Sequence, residues 1–375
     1  MAAAQLTQQV AASRRRGIRS KADASVVTAA DLAAQAVMTR EVRRAFPDDG
    51  IVGEENGSMV GEDAWLRAMV HGLYRRHGGG GGRGGRGGGG RGGGGRGGGR
   101  GSRGGEGHDN DSAHSMLALL DQGGRGQGGA GRVWVMDPVD GTAAYVSGGQ
   151  YAVALALLDD GIEQVGVVAC PRLREGIVVS AVRGRGVQRR ALSLPPLLQH
   201  SPLQHLALQH SPLQPLQQPL PLPLQHSPLQ PLQHSPPPPP SSSSPLRIVA
   251  CAGRQDALLP RLTSRLAAVS APGPSIASSH VRYMALVTHA ADILVRLPSP
   301  SARPSCIWDH AGACLIVTEA GGCVTDLDGR ALDFGAGRHL ARNRGLVATM
   351  PAAIHAHVLG LVNELAADDD AEPKL

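Results

Sequence analysis

The segment Asp137-Pro138-Val139-Asp140-Gly141-Thr142 places two carboxylates, a backbone carbonyl and a hydroxyl close together in the chain. It follows the apolar run 133–136, which reads as a buried strand. Pro138 fixes the backbone at the strand exit, so both carboxylates can turn toward one point. Val139 can offer only its carbonyl oxygen. Two carboxylates and a carbonyl make a hard-oxygen donor set suited to Mg²⁺. Gly141 lets the backbone approach an anion closely, and the N–H groups there can donate to phosphate. A lone Asp-x-x-Asp is most often a solvated turn. A buried strand in front and Gly-Thr behind favour a site.

Three further acidic stations occupy similar places. Gly53-Glu54-Glu55 ends the short apolar strand 51–52. Trp308-Asp309-His310 opens a helix, where an Asp is also favoured by the helix dipole. Asp31 lies three residues after Thr28, in the pattern of a helix-capping pair. Each has a plain structural reading by itself. Four acidic stations at strand ends or helix starts, in a chain that is near neutral outside residues 78–107, point instead to a cation site beside an anionic substrate.

The rest of the chain shows what must position them. Of 375 residues, 52 are Gly and 27 are Pro, and only nine are aromatic. Residues 78–107 are almost pure Gly and Arg, and residues 193–246 hold 16 of the prolines. The first tract has little to bury and is expected to be disordered. The second carries no charged residue, and its Pro spacing is expected to forbid helix and sheet. The net charge of +6 belongs largely to the Gly/Arg tract, with its six Arg and one Glu, so a basic nucleic-acid-gripping fold is not supported. That tract lacks aromatics to stack on bases, which argues against a nucleic-acid partner. Its many G-x-G-x-x-G matches follow no strand and indicate no dinucleotide site.

Around these tracts the pattern alternates. Helices are expected at 2–20, from Thr28 to Ala45, at 63–76 and 116–120, and strands at 51–52, 133–136, 151–158, 165–169 and 176–182. Asp159-Asp160-Gly161 is a tight-turn signal that makes an antiparallel meander. After the Pro-rich tract come strand 248–251, helices 257–268 and 281–288, strand 293–297, a helix from Trp308 to Gly321, two short strands and a last helix. The expected fold class is α/β (α+β), with an amino-terminal unit 1–192, the insert 193–246 and a carboxy-terminal α/β unit 247–375.

These residues resemble the inositol monophosphatase superfamily of Mg²⁺-dependent, lithium-sensitive phosphatases, and within it the 3′(2′),5′-bisphosphate nucleotidases. The blocks that carry the resemblance are VVTAADLAAQ around Asp31, IVGEE (51–55), WVMDPVDGTAAYVSGGQYAVALALL (134–158), GVVACPRL (166–173), YMAL (283–286), ADILVRLP (291–298), IWDHAG (307–312) and TEAGGCVTDLDGRALDF (318–334). The resemblance implies a layered α-β-α-β-α sandwich with two long disordered insertions. It also implies that Glu54, Asp137 and the Val139 carbonyl hold one Mg²⁺, that Asp137, Asp140 and Asp309 hold a second, and that a third ion sits near Glu54 through water. Asp31 and Thr142 would activate the attacking water. The backbone of Gly141 and Thr142 would grip the phosphate, and Arg282 and Arg296 would contact the substrate. Lithium would inhibit.

The match departs in places. Nucleotidases usually show Lys-Gly-Phe where this chain has Ala143-Ala144-Tyr145, and a His-Ser-Ser-His-like segment where it has Ala252-Gly253-Arg254-Gln255. Arg282 stands for the usual Lys. The first helix is short for the family, as an incomplete amino end would make it. The expected activity is removal of the 3′-phosphate from adenosine 3′,5′-bisphosphate, with its sulfated form as a further candidate substrate and an inositol phosphate as the alternative. A non-catalytic RNA-associated scaffold is disfavoured by the full acidic set.

Other features read as structural. His355 and His357 are expected at the surface, and Cys314 and Cys323 as buried apolar residues. The five cysteines form no C-x-x-C pair, which fits a reducing compartment. The first acidic residue is Asp23, a composition shared by organelle transit segments and acid-free surface helices. No apolar run is long enough to span a bilayer.

Overall fold

The computed structural model describes residues 1–13, 15–61, 63–78, 105–192, 230–231, 245–250, 258–266, 269–270, 276–298 and 304–371. Helix α1 (Ala2–Ala11) leads to the small hairpin β1 (Arg19–Ser20) and β2 (Val26–Val27). Then follow α2 (Ala29–Ala45), β3 (Gly50–Gly53), α3 (Ser58–Gly61), α4 (Ala64–Gly78) and α5 (Gly105–Arg125). Thr28 caps α2 in a reciprocal capping box with Asp31, as the spacing predicts. Helix α5 starts earlier and ends later than the helix expected at 116–120.

The larger sheet follows. It contains β4 (Arg132–Asp140), β5 (Ala152–Asp159), β6 (Ile162–Cys170), β7 (Ile177–Val182) and β8 (Val187–Ala191), with α6 (Thr142–Ser147) after β4. Strands β4 to β8 pair antiparallel in chain order, and β3 joins β4 in parallel. The β5–β6 turn puts Asp160 and Gly161 at positive φ, the backbone a two-residue hairpin requires. One expectation fails here. Strand β9 (Gln230–Pro231), inside the Pro-rich tract, pairs with β8 at the sheet edge, where a missing N–H is tolerated. The expectations of disorder at 78–107 and 193–246 otherwise fall mostly outside the described residues.

The carboxy-terminal part supplies β10 (Arg247–Val249), α7 (Leu258–Arg265), β11 (Val269–Ser270), α8 (Ser279–Val287) and β12 (Ile293–Arg296). It continues with a 3₁₀ turn at Ile307–Asp309, α9 (Ala311–Glu319), β13 (Cys323–Thr325), β14 (Leu346–Thr349) and α10 (His355–Ala371). The second sheet has the order β11-β10-β12-β14-β13.

Five layers result. Helices α1, α2, α4 and α5 pack together on one side of the large sheet, and α8 and α9 cover its other face. The same α8 and α9 back onto the second sheet, whose far side carries α7 and α10. This is the α-β-α-β-α sandwich that the resemblance implies. Helix α9 is buried almost all round, with Cys314, Leu315, Ile316 and Val317 each at most 3% exposed, as a helix between two sheets must be.

His355 is not at the surface. It is buried at the start of α10, where its ring lies 2.9 Å from Thr325 Oγ1 and 3.0 Å from Thr349 Oγ1 and so joins the helix to β13 and β14. His357 is exposed and Cys314 buried, as expected, whereas Cys323 is only half-buried. Among the described residues, no helix is long and apolar enough to cross a membrane.

Candidate active site

Strand β4 runs into the site. Its last residues, Met136 to Asp140, are buried, and the register with β5 is irregular between Asp137 and Asp140. The irregularity follows Pro138, which has no N–H for the ladder. It lets both carboxylates leave the sheet on the site side. The Val139 N–H donates to Asp137 Oδ1 at 3.1 Å. Gly141 adopts φ 87° at the exit, and a Cβ there would lie 3.0 Å from that of Ser278. Only glycine suits both the backbone and the space.

Asp31 reaches the same place from α2. Its Oδ2 accepts from the Thr28 N–H at 2.9 Å and from the Thr28 hydroxyl at 2.5 Å. The Thr142 hydroxyl lies within 3.0 Å of both Asp31 Oδ1 and the Val139 carbonyl. Asp31 is fully buried. A helix cap contributes about 1 kcal/mol, whereas burying an ion costs several kcal/mol. Capping alone therefore does not account for a carboxylate at this depth.

The acidic residues act on one another. Burial raises the Asp137 carboxyl well above its usual range, and the charges of Glu54, Asp140, Asp309 and Asp31 raise it further. Asp309 is pushed to about 7 by burial and by Asp140 and Glu54, against the opposing charge of Arg296. Asp31 is raised to about 6 by burial and Glu54, against hydrogen bonds from Thr28 and Thr142. Acidic groups contributed by α2, the end of β3, β4 and the 3₁₀ turn before α9 therefore converge.

Asp140 differs from its neighbours. Burial works against its charge, but hydrogen bonds from the start of α8 prevail and hold it at about 2. These come from the Ser278 hydroxyl at 2.6 Å, the Ser279 N–H at 3.1 Å and the His280 N–H at 2.6 Å, with His280 Nδ1 at 3.0 Å. Donor atoms of Asp137, Asp140 and His280 lie within 4.8 Å of one another. Carboxylates that raise one another's pKa, together with a carbonyl, are a donor set that a hard divalent cation completes. The residues present fit Mg²⁺.

Several neighbours were not apparent in the sequence. Lys21, in the turn after β1, holds Glu54 Oε1 at 2.9 Å and Glu55 Oε1 at 2.6 Å. Burial opposes its charge, but the two glutamates outweigh this and keep the ammonium protonated above its usual range. Glu55 is the more buried of the pair, and its side chain is 3% exposed. Ser278 and His280 have no local signature beyond a helix start.

The two arginines take different positions. Arg282 is buried, donating to the Ser278 carbonyl at 3.3 Å and Ser279 Oγ at 3.1 Å. Arg296 is half-buried, with Nη1 3.5 Å from His310 Nε2, and its charge reaches Asp309. His310 is buried and kept neutral by that burial and by the neighbouring cations, and its Nδ1 lies 2.9 Å from the Tyr283 hydroxyl. Residues 252–255, where the nucleotide segment was expected, lie outside the described residues.

Comparison with known proteins places the chain in a family. The family model "Inositol monophosphatase family" matches residues 114–366. A 3′(2′),5′-bisphosphate nucleotidase of Emericella nidulans is 30% identical over 96% of this chain and 94% of its own length. A probable 3′(2′),5′-bisphosphate nucleotidase of Arabidopsis thaliana is 30% identical over 92% and 86%. Among solved structures, an IMPase of Thermotoga maritima superposes with a TM-score of 0.54 at 16% identity, covering 98% of this chain and 95% of that one. The extragenic suppressor protein suhB of Bartonella henselae gives 0.52 at 15%, covering 97% and 94%.

Proposed function

This chain belongs to the inositol monophosphatase family, and from that membership we propose that it is a Mg²⁺-dependent phosphomonoesterase that removes the 3′-phosphate from adenosine 3′,5′-bisphosphate. The observation that carries the reading is the convergence of Asp31, Glu54, Asp137, Asp140 and Asp309 on one another's charge. The family's magnesium dependence accords with that donor set.

In this proposal Glu54, Asp137 and the Val139 carbonyl hold one ion, Asp137, Asp140 and Asp309 hold a second, and a weaker third lies near Glu54, with lithium inhibiting. When bound, magnesium would supply positive charge that offsets the negative charge of the ester and stabilises the leaving oxygen. The chain's residues do the rest. Asp31, fixed through Oδ2 by Thr28, presents Oδ1 to the Thr142 hydroxyl. The hydroxyl can pass its proton to Asp31 and take one from a water aimed at phosphorus. The backbone at Gly141 and Thr142 holds the phosphate, and no covalent intermediate is needed. The hydrogen bonds from α8 keep Asp140 ionised and correctly turned.

Arg296 supplies positive charge beside Asp309, where a second phosphate of the substrate can settle. That favours a bisphosphate. A second reading, an inositol phosphate, draws support from Arg282, whose guanidinium is engaged with residues 278–279, and from the absence of Lys at Ala143. Phosphate release from adenosine 3′,5′-bisphosphate and inositol 1-phosphate, each with and without lithium, separates the two. The nucleotide is expected to be the better substrate and lithium to inhibit. Faster release from inositol 1-phosphate would move the assignment to the second reading.

A further inference from the structure

Arg338 lies in the long connection between β13 and β14, far in sequence from every acidic residue of the site except Asp309. Its main chain holds one acidic segment. The Ile307 N–H donates to the Arg338 carbonyl at 3.0 Å, and the Leu340 N–H donates to that of Ser305 at 2.8 Å, so the stretch 305–307 that leads into Asp309 is tied to 338–340. Its side chain holds the other. Nη2 donates to the Gly53 carbonyl at 2.7 Å, at the peptide that joins Gly53 to Glu54. Nη1 donates to the carbonyls of Gly126 at 2.8 Å and Gly123 at 3.2 Å, just beyond and within the end of α5. The guanidinium carbon lies 4.5 Å from the centroid of the Trp308 ring, next to Asp309.

The glycines make this reach possible. A Cβ on Gly126 would stand 1.7 Å from the Ile51 carbonyl oxygen, and one on Gly53 would meet the Gln35 amide at 2.5 Å. The end of α5 thus lies directly against β3, and three carbonyls face one planar fork. A guanidinium has the donors for all three and a flat face for the indole, whereas an ammonium lacks both the fork and the stacking face.

We infer that Arg338 is a positioning residue for the cation site, fixing the strand end that carries Glu54 against the turn that carries Asp309. The inference rests on the proposed metal-dependent reading of that site. Glu54 and Asp309 come from opposite parts of the chain, and the two proposed ions, which share Asp137, need both residues at a set separation from it. Groups that orient metal ligands from behind typically govern affinity by about 10-fold to 100-fold when removed.

The test compares Arg338→Lys and Arg338→Met with the unaltered full-length chain. Mn²⁺ binding is followed by electron paramagnetic resonance of the free ion, and phosphate release is measured across Mg²⁺ concentrations. Both variants are expected to bind Mn²⁺ at least about 10-fold more weakly. Both are also expected to need correspondingly more Mg²⁺ for half-maximal release, with the substrate KM at saturating Mg²⁺ within about 3-fold of the original. Arg338→Lys keeps the charge, so it carries the comparison if Arg338→Met does not fold. Affinity unchanged in a folded variant, with only the melting temperature lowered, would show a mere structural brace and overturn the inference. Full affinity in Arg338→Lys would overturn it too. If the unaltered chain binds Mn²⁺ but releases phosphate from no monoester, the proposed function fails while the affinity comparison still decides the role of Arg338.

Discussion

The Thr142 hydroxyl lies 3.0 Å from Asp31 Oδ1, across 111 residues of chain. Thr28 occupies the other carboxylate oxygen through both its N–H and its hydroxyl, so Asp31 has little freedom to turn away. Because the pair is proposed to move a proton, Thr142→Val is expected to lower kcat by about 10²-fold to 10⁴-fold with little change in KM. Thr142→Ser retains the hydroxyl and is expected to keep most of the activity. Steady-state phosphate release decides this, and equal losses in the two variants would contradict the relay.

Asp309 is a burden on the metal-free fold. Burial and the charges of Asp140 and Glu54 raise its pKa to about 7, so its ionised form is disfavoured. Asp309→Asn removes that charge at nearly constant shape. The variant is expected to lose phosphate release, yet in EDTA at pH 8 to melt at or above the temperature of the unaltered protein. Thermal melting in EDTA beside an activity assay checks both parts. A clear drop in melting temperature would mean that Asp309 is structural.

The same shifts set a pH dependence. Asp31 and Asp309 have folded-state pKa values raised to about 6 and about 7, above their values in the unfolded chain. The folded state therefore holds more protons than the unfolded state between about pH 4 and pH 7. Stability associated with these groups is present below their unfolded pKa and is lost as pH rises through the folded values. Metal-free protein is expected to melt progressively lower from pH 5 to pH 8, and added Mg²⁺ to raise the melting temperature more at pH 8 than at pH 5. Melting curves with EDTA or Mg²⁺ across that range test it, and an equal Mg²⁺ effect at both ends would count against the carboxylates as the binding groups.

Much of the site was legible because its parts are local. The Thr28–Asp31 capping pair, the strand before Asp137 and the glycine at 141 leave marks within a few residues, since caps, strand ends and tight exits each demand particular residue types. Lys21, His280 and Arg338 leave none. Arg338 meets Gly53 across 285 residues, and nothing near either residue announces the other. His355 went astray for a related reason. Helical spacing from His357 says which way the two rings diverge, but only the packing of α10 on β13 and β14 says which one turns inward. Strand β9 was missed because proline density argues against sheet interiors and is silent about an edge.

The most direct measurement is phosphate release from adenosine 3′,5′-bisphosphate by the unaltered protein and by Asp137→Asn, each in Mg²⁺ and in EDTA. Asp137 is the carboxylate on which the charges of all four other acidic residues of the site bear. We expect release by the unaltered protein in Mg²⁺ alone, and by the variant in neither condition. Release that persists in EDTA, or an Asp137→Asn protein as active as the original, would contradict a magnesium site built from these carboxylates.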